Sequence, residues 1–247
     1  MRRDTARIAG TALRSAPRQI PPMPEDIDDL PRMPLAVRDV LGPELLATAR
    51  QALDAAGITA EEARELGCVT ASHRATAATA AYIAEVLDGP GPRWLAPECF
   101  LDYSPHSLTG RLCIELGFDG TAITLTGPAG GVDALGCAAG MIASGRCARV
   151  LVATAHWPLP EVPGDTTPTT LSTAAVVLRA DGGWGAVTDW RPGGGHPAVR
   201  PGNDAGGEGG SGTPFATLAD WYARRPSNGI ELSGGGSRVA LVPGAGA

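Results

Sequence analysis

The sequence has few positively charged side chains and few aromatic ones, and both shortages limit the choice of partner. Lys and Arg number 20 against 26 Asp and Glu, so the 247-residue chain carries a net charge of -6. Aromatic residues make up 4% of it, and no basic stripe is interleaved with them. Nucleic-acid surfaces attract clusters of Lys and Arg, so this composition argues against a nucleic-acid partner.

Long apolar runs and paired cysteines are also missing. No run approaches the roughly 20 apolar residues of a bilayer span, and the basic start of the chain has no apolar segment of the kind found in secretory signals. We therefore expect a cytoplasmic protein. The cysteines are odd in number and form no CxxC pair, so we interpret them as small buried apolar residues and predict neither a metal site nor a cofactor; they are Cys68, Cys99, Cys113, Cys137 and Cys147.

Helices and strands alternate through the middle of the chain. Apolar spacing and breakers predict helices over 43–56, 76–87 and 104–116, and a further helix that ends at Gly145. Short buried strands are predicted at 68–71, 121–126 and 150–155. Strands separated by helices indicate a layered α/β domain with a mostly parallel central sheet.

The two ends of the chain have weaker patterns. Residues 173–178 and 184–190, separated by Asp181-Gly182-Gly183, predict a hairpin. Residues 1–34 are rich in Pro, Arg and Asp, and we interpret them as an extended arm over a surface. We predict one domain over 35–190, followed in 191–247 by a Gly-rich linker, a short helix near 215–224 and a last strand at 238–242.

The segment 121–145, TAITLTGPAGGVDALGCAAGMIASG, is the most informative stretch. It predicts a buried strand that turns through small residues into a helix. The positive end of the helix dipole then faces the turn, where it would stabilise a nucleophile or an anion. We therefore expect any chemistry of this chain at the turn.

This turn resembles that of the thiolase-fold ketosynthases, whose nucleophile segment reads approximately T-A-C-A-S-G. The matching residues here are Thr126, Gly127, Pro128, Ala129, Gly130 and Gly131. The family's cysteine position is held by Pro128, which has no nucleophilic atom. The resemblance implies a layered α/β/α ketosynthase fold without condensing activity of its own.

One branch of that family, the chain-length factors of type II polyketide synthases, is more similar still. Its segment E-Q-A-G-G-L-D-A-L-G resembles residues 129–136, AGGVDALG, and its T-G-Q-I-S resembles residues 109–113, TGRLC. Two motifs in register carry more weight than one. Chain-length factors often have Gln at the nucleophile position, and Pro128 cannot form the hydrogen bonds of that side chain.

The resemblance covers about 34–190, which corresponds to the first of the two halves of a thiolase fold. The second half contains the family's catalytic histidines. We interpret the histidines of this chain as packed or solvated side chains, because their contexts are unlike the family's motifs; they are His73, His106, His156 and His196. Truncated ketosynthase-like proteins of this length occur beside full-length ketosynthases, for example in pathways resembling aryl polyene assembly.

The resemblance implies a heterodimer with a full-length ketosynthase, in which strand 121–126 pairs across the dimer axis. Acyl carrier protein and the growing polyketide or polyene chain would then be indirect partners. The residues implied at the partner interface and its acyl tunnel are Phe100, Tyr103, Ser107, Leu108, Arg111, Leu112, Thr121, Ile123 and Leu125. An equally weighted alternative is that the residues before the strand fill this subunit's own core.

Two other functions stay open from the sequence. Cys113 or Cys137 would serve as a displaced nucleophile of an acyltransferase if His106 or His156 lay within hydrogen-bond reach. Alternatively, the chain is a stand-alone module that binds an acyl chain or a carrier protein. Carrier proteins are acidic, and no basic patch that would complement one is evident in the sequence.

Overall fold

The computed structural model describes residues 5–19, 41–72, 76–95, 97–101, 103–127, 130–158, 167–193 and 213–244. The strands are β1 Arg7–Arg18, β2 Gly67–Ser72, β3 Ala122–Thr126, β4 Arg149–His156, β5 Thr169–Arg179, β6 Trp184–Arg191, β7 Ile230–Gly234 and β8 Ser237–Val242. The helices are α1 Leu41–Ala55, α2 Ala60–Arg64, α3 Ala77–Asp88, α4 Ser107–Leu116, α5 Gly130–Ala143 and α6 Thr213–Arg224, with 3₁₀ turns at Pro92–Trp94 and Pro97–Phe100. Of these helices, none has the length and apolar character that a membrane crossing requires.

All the strands join one mixed sheet in the order β3-β2-β4-β5-β1-β6-β8-β7. The pairs of β2 with β3 and with β4 are parallel, and the other neighbours run antiparallel. The layered α/β prediction is confirmed, but the sheet is not mostly parallel. Among the described residues, helical crossovers between parallel strands lie in the middle of the chain, where the sequence pattern is clearest.

Residues 7–18 do not form an arm over a surface, because they are strand β1 in the interior of the sheet. This strand pairs with β5 along its whole length, from Arg7 opposite Arg179 to Arg18 opposite Thr169. At Gly10 it passes close to α1, and a Cβ there would lie 2.6 Å from the carbonyl oxygen of Ala52. Only glycine permits that approach without a shift.

The insertion of β1 also corrects the predicted hairpin. Both of its strands exist as β5 and β6, but β1 lies between them and pairs with each. The Asp181-Gly182-Gly183 turn therefore connects strands that are not neighbours.

The C-terminal elements belong to the same sheet as the rest. Helix α6 and strand β8 are confirmed near their predicted positions, and β7, which was not predicted, pairs with β8. Strand β8 pairs in turn with β6, so residues 213–244 extend the main domain. The predicted linker falls almost wholly on residues 194–212, which lie outside the described residues, as does the predicted boundary near residue 34.

Helices cover both faces of the sheet and create two main apolar clusters. One cluster packs α5 and α6 against side chains such as Val69 and Val152. The other packs α1 and α4 against the opposite face, where Cys68 and Leu151 lie. A small third cluster joins α3 to the 3₁₀ turns through Tyr82, Val86 and Cys99.

Candidate functional site

The turn between β3 and α5 is the position of the predicted degenerate site. Thr126 ends β3, and Gly127 has φ of 116°, which favours glycine because a side chain would be strained there. Gly130 and Gly131 begin α5 and are buried. Pro128 and Ala129 lie outside the described residues, so the missing nucleophile is a statement about the sequence.

Gly130 brings the start of α5 close to β2. A Cβ on Gly130 would lie 3.2 Å from the Cβ of Ala71, which is tighter than ordinary van der Waals contact. The small residues after the turn therefore allow the helix to approach the sheet. This packing explains part of the glycine-rich motif without any catalytic role.

The Asp133 and Gly136 part of the same motif contacts Trp190 of β6. The indole Nε1–H of Trp190 donates a hydrogen bond to Asp133 Oδ1 at 3.2 Å. A Cβ on Gly136 would lie 2.1 Å from Cγ of Trp190, so the ring occupies the space that a side chain would need. The sequence contains no local signal for this contact, because the partners are 57 residues apart.

Among the described strands, β3 is the outermost at the parallel end of the sheet. The carbonyl of Thr121 accepts a hydrogen bond from the Cys68 N–H on β2. Backbone groups alternate in direction along a strand, so those of Ala122, Thr124 and Thr126 point to the open side. The five residues of β3 carry no charge, although edge strands commonly use charge or proline to prevent further pairing.

Large apolar side chains are exposed on α4 and on the segment that leads into it. Their exposed fractions are 55% for Phe100, 72% for Leu101, 49% for Tyr103 and 83% for Ile114. We call the outward edge of β3 together with these four side chains the β3-side surface. Large apolar side chains that stay exposed to solvent are characteristic of interaction sites when they lie together.

A chain of hydroxyl groups fixes α4 against β2 and β3. Thr70 Oγ1 hydrogen-bonds to Thr109 Oγ1 at 2.5 Å, and Thr109 hydrogen-bonds in turn to Thr124. Thr124 Oγ1 also contacts His106 Nδ1 at 2.7 Å. These bonds hold the start of α4 beside the middle of β3.

The structure divides the predicted interface residues into exposed and buried groups. Leu108 and Leu112 are buried in this chain's own cluster with α1. These two residues therefore fit the alternative prediction, in which the residues before the strand fill this subunit's own core. Phe100 and Tyr103 are exposed, and Ser107 and Arg111 are half-buried on α4. Thr121 is half-buried at the start of β3, where Ile123 and Leu125 pack partly against α5. A tunnel or interface role stays a prediction for all of them.

The cysteines proposed as displaced nucleophiles lie in different surroundings. A hydrogen bond from the Cys68 thiol lowers the pKa of Cys113, against the effect of its burial. Burial raises the pKa of the Cys137 thiol, which disfavours its nucleophilic thiolate. The partner of Cys113 is thus a thiol, which supplies no general base.

Two of the four histidines lie in the part of the chain that the structure describes. His106 contacts Thr124, and His156 is half-buried at the end of β4. His73 and His196 lie outside the described residues. Within the part of the chain that the structure describes, no three His, Cys, Asp or Glu residues are grouped to hold a metal ion.

Comparison with known proteins identifies the family of the middle segment. Residues 39–167, about half of the chain, match the family model described as the β-ketoacyl synthase, N-terminal domain. No curated protein matches the chain.

Three solved structures have similar folds. The ishigamide ketosynthase/chain length factor has a TM-score of 0.54 at 17% identity, covering 75% of this chain and 66% of that one. The complex of the ketosynthase ApeO with its chain length factor ApeC from Xenorhabdus doucetiae has a TM-score of 0.55 at 16% identity. The match covers 96% of this chain and 99% of the matched chain. A type II polyketide-synthase acyl-carrier protein in complex with its ketosynthase bound to the hexaketide has a TM-score of 0.50 at 15% identity. The match covers 72% of this chain and 64% of that one.

These comparisons confirm the predicted thiolase-like ketosynthase fold. The identities are low, so the likeness to these structures establishes the fold alone. The chain spans 66% and 64% of the length of the first and third structures, but 99% of the matched chain from Xenorhabdus doucetiae.

Proposed function

The chain belongs to the β-ketoacyl synthase N-terminal domain family, and on this premise we propose that it is a non-catalytic, chain-length-factor-like subunit. It pairs with an active ketosynthase in type II polyketide or aryl-polyene-like biosynthesis. The partner supplies the nucleophilic cysteine and the contact with acyl carrier protein, and this subunit stabilises the partner and shapes its acyl tunnel. It works in the cytoplasm and needs no cofactor.

The observation that carries this proposal is the β3-side surface. An uncharged edge strand with outward backbone groups at Ala122, Thr124 and Thr126 is a template for another strand. The exposed side chains of Phe100, Leu101, Tyr103 and Ile114 provide apolar area that a partner would bury.

The sequence of the turn argues against condensation by this chain alone. A ketosynthase needs a thiolate at the position that Pro128 occupies. Cys113 has a lowered pKa, but the group that lowers it is the Cys68 thiol and not a histidine. The pairing role is thus better supported than an acyltransferase with a displaced cysteine.

The proteins in the similar structures agree with a pairing role. Two of them name a chain length factor together with a ketosynthase. The chain from Xenorhabdus doucetiae is matched over nearly its whole length by nearly the whole of this one. One chain of that complex therefore has about the length of the sequence described here.

Within the predicted tunnel set, Phe100 and Tyr103 are the residues that we assign to contact with the partner's acyl chain or its tunnel wall. Both are exposed rings that precede α4. Leu112 is 1% exposed in the core, so substitutions there would change stability before they changed product length. A stand-alone binding module would leave the whole β3-side surface uncovered in water.

The test is co-expression with a full-length ketosynthase encoded beside this chain, followed by size-exclusion chromatography and an elongation assay. We expect co-elution, and we expect Phe100→Ala and Tyr103→Ala to shift the distribution of product lengths. The matched control is Trp190→Phe at the other end of the sheet, which should leave products unchanged. A monomer that elutes separately and does not affect the products would overturn the proposal.

A further inference from the structure

The positions of two thiols on facing elements lead to an inference that is independent of the proposed partner. Cys68 lies on β2 and Cys113 on α4, close enough for each thiol to shift the pKa of the other. Cys68 is fully buried in the cluster under α1 and α4, and Cys113 is half-buried beside it.

The hydroxyl contact one step away fixes the same register between the two elements. Thr70 on β2 faces Thr109 on α4 across a 2.5 Å hydrogen bond. Cys68 precedes Thr70 by two residues on β2, a distance of about 6.6 Å along a strand. Cys113 follows Thr109 by four residues on α4, a distance of about 6 Å along a helix. The elements run in opposite directions there, so these steps place Cys68 opposite Cys113.

The other cysteines do not compete for this pairing. Cys137 and Cys147 belong to the cluster on the opposite face of the sheet, and Cys99 belongs to the small cluster beside α3. Cys147 lies near Gly67 at the start of β2, but the sheet separates it from the Cys68 side chain on the other face.

We propose that Cys68 and Cys113 form a reversible disulfide that ties α4 to β2 in response to a hydroperoxide. The Cys113 thiolate attacks the peroxide oxygen, its sulfur becomes a sulfenic acid, and the O–O bond breaks to release an alcohol or water. The Cys68 thiol then attacks that sulfur, forms the S–S bond and expels water. Two thiols and one peroxide thus give one disulfide, one water and one alcohol, or a second water from hydrogen peroxide.

The surroundings assign different parts to the two thiols. Cys113 is the more exposed of the pair, and the hydrogen bond from Cys68 lowers its pKa, which favours the attacking thiolate. A hydrogen bond with Cys113 and then burial raise the pKa of Cys68, so Cys68 is the less reactive of the two thiols towards peroxide. Its position opposite Cys113 makes it the resolving thiol. A dithiol reductant restores both thiols by exchange.

The consequence of the bond is a fixed α4. This helix otherwise contacts β2 and β3 through the threonine hydroxyls and apolar packing. A covalent link at Cys113 holds the end of the helix that is remote from His106. The β3-side surface is then held from both ends of α4.

The experiment treats the protein, alone or in its complex, with hydrogen peroxide and maps free and linked cysteines by alkylation and peptide mass spectrometry without reductant. We expect a 68–113 linked peptide, the loss of two alkylatable thiols, and full recovery with dithiothreitol. The matched control Cys137→Ser should still form the link, whereas Cys113→Ser should keep Cys68 reduced.

Two outcomes would overturn the proposal. One is oxidation of Cys113 to sulfinic or sulfonic acid with Cys68 still free. The other is a linked peptide that joins a different pair of cysteines. The wild-type map decides the matter even where a serine variant fails to fold.

Discussion

The two edges of the sheet differ in how they meet solvent. At one edge, β3 has no charged residue, and the large exposed side chains on and before α4 are apolar. At the other edge, β7 contains Glu231, which forms an ion pair with Arg238 of β8 at 3.7 Å. Charge protects an edge strand from unwanted pairing, so the β7 edge is suited to water and the β3 edge to a partner.

The largest effect should follow from giving the β3 edge the protection that the β7 edge already has. We expect the double substitution Ala122→Lys and Thr126→Lys to weaken ketosynthase binding at least about 100-fold, because a buried unpaired charge costs about 3–5 kcal/mol. Both side chains are exposed in the unpaired chain, so its own fold should remain. Calorimetric titration of the partner measures the change.

The matched control places the same charge on the opposite edge. Ser233 of β7 is exposed, and Ser233→Lys should leave the affinity within about twofold of wild type. If both variants bind equally well, the edges do not differ in the way described.

The next largest effect, on stability, should follow from disturbing the packing of Trp190 of β6 against Gly136 of α5. Gly136→Ala should lower the free energy of unfolding by about 1–3 kcal/mol, because the ring of Trp190 must leave its position to make room. Gly140→Ala, on the same helix but with open space around it, should instead raise stability by up to about 1 kcal/mol. Urea denaturation followed by tryptophan fluorescence measures both. Equal effects of the two substitutions would contradict the assigned packing of Trp190.

A smaller effect on binding should follow from removal of one apolar contact. Ile114→Ser should weaken ketosynthase binding by about 10-fold, since burial of such a side chain is worth about 1.5–3 kcal/mol, and should leave the monomer's stability unchanged because Ile114 is 83% exposed. The control is Val242→Ser, at an exposed site on β8, which should bind normally. A similar loss in both variants would argue for a general rather than a local effect.

The smallest effect concerns the ion pairs between β1 and α1. Hydrogen bonds from Arg18 and then Arg14 lower the pKa of Glu44. A carboxyl with a lowered folded-state pKa stabilises the fold above its unfolded pKa, near 4.5, and loses that contribution as pH falls through the folded value. Glu44→Gln should therefore cost about 0.5–1 kcal/mol at pH 7, with the difference from wild type vanishing in acid. Denaturation at pH 7 and pH 3 tests this, and a constant difference would contradict it.

The sequence predicted the parallel end of the sheet well because its strands are short runs of apolar and β-branched residues separated by helices with clear breakers. Strand β3 was predicted as buried, but its residues are exposed or half-buried because it lies at the edge of the sheet. Strands β2, β3 and β4 and helices α1, α4 and α5 lie within a few residues of their predicted limits. Strand β1 could not be found in this way, because its partner β5 lies more than 150 residues further along. The same long-range pairing made the local hairpin signal at 181–183 misleading.

In the candidate site, too, features that depend on adjacent residues were predictable and features that depend on distant residues were not. The turn motif indicated both the fold and the missing cysteine, since these depend on adjacent residues. The contact of Trp190 with α5 and the chain of hydroxyl groups from Thr70 to His106 depend on side chains from separate elements, which the sequence pattern does not bring together. The burial of Leu108 and Leu112 also depends on α1, which the spacing within α4 does not reveal.

Hydrogen–deuterium exchange of the chain with and without a full-length ketosynthase is the most direct test of the pairing role. The outward amides of Ala122, Thr124 and Thr126 should exchange at least about 10-fold more slowly in the complex, because a second strand would accept their hydrogen bonds. Amides of β7 should exchange at the same rate in both states. A complex that forms while β3 exchange stays unchanged would contradict the claim that β3 is the pairing edge.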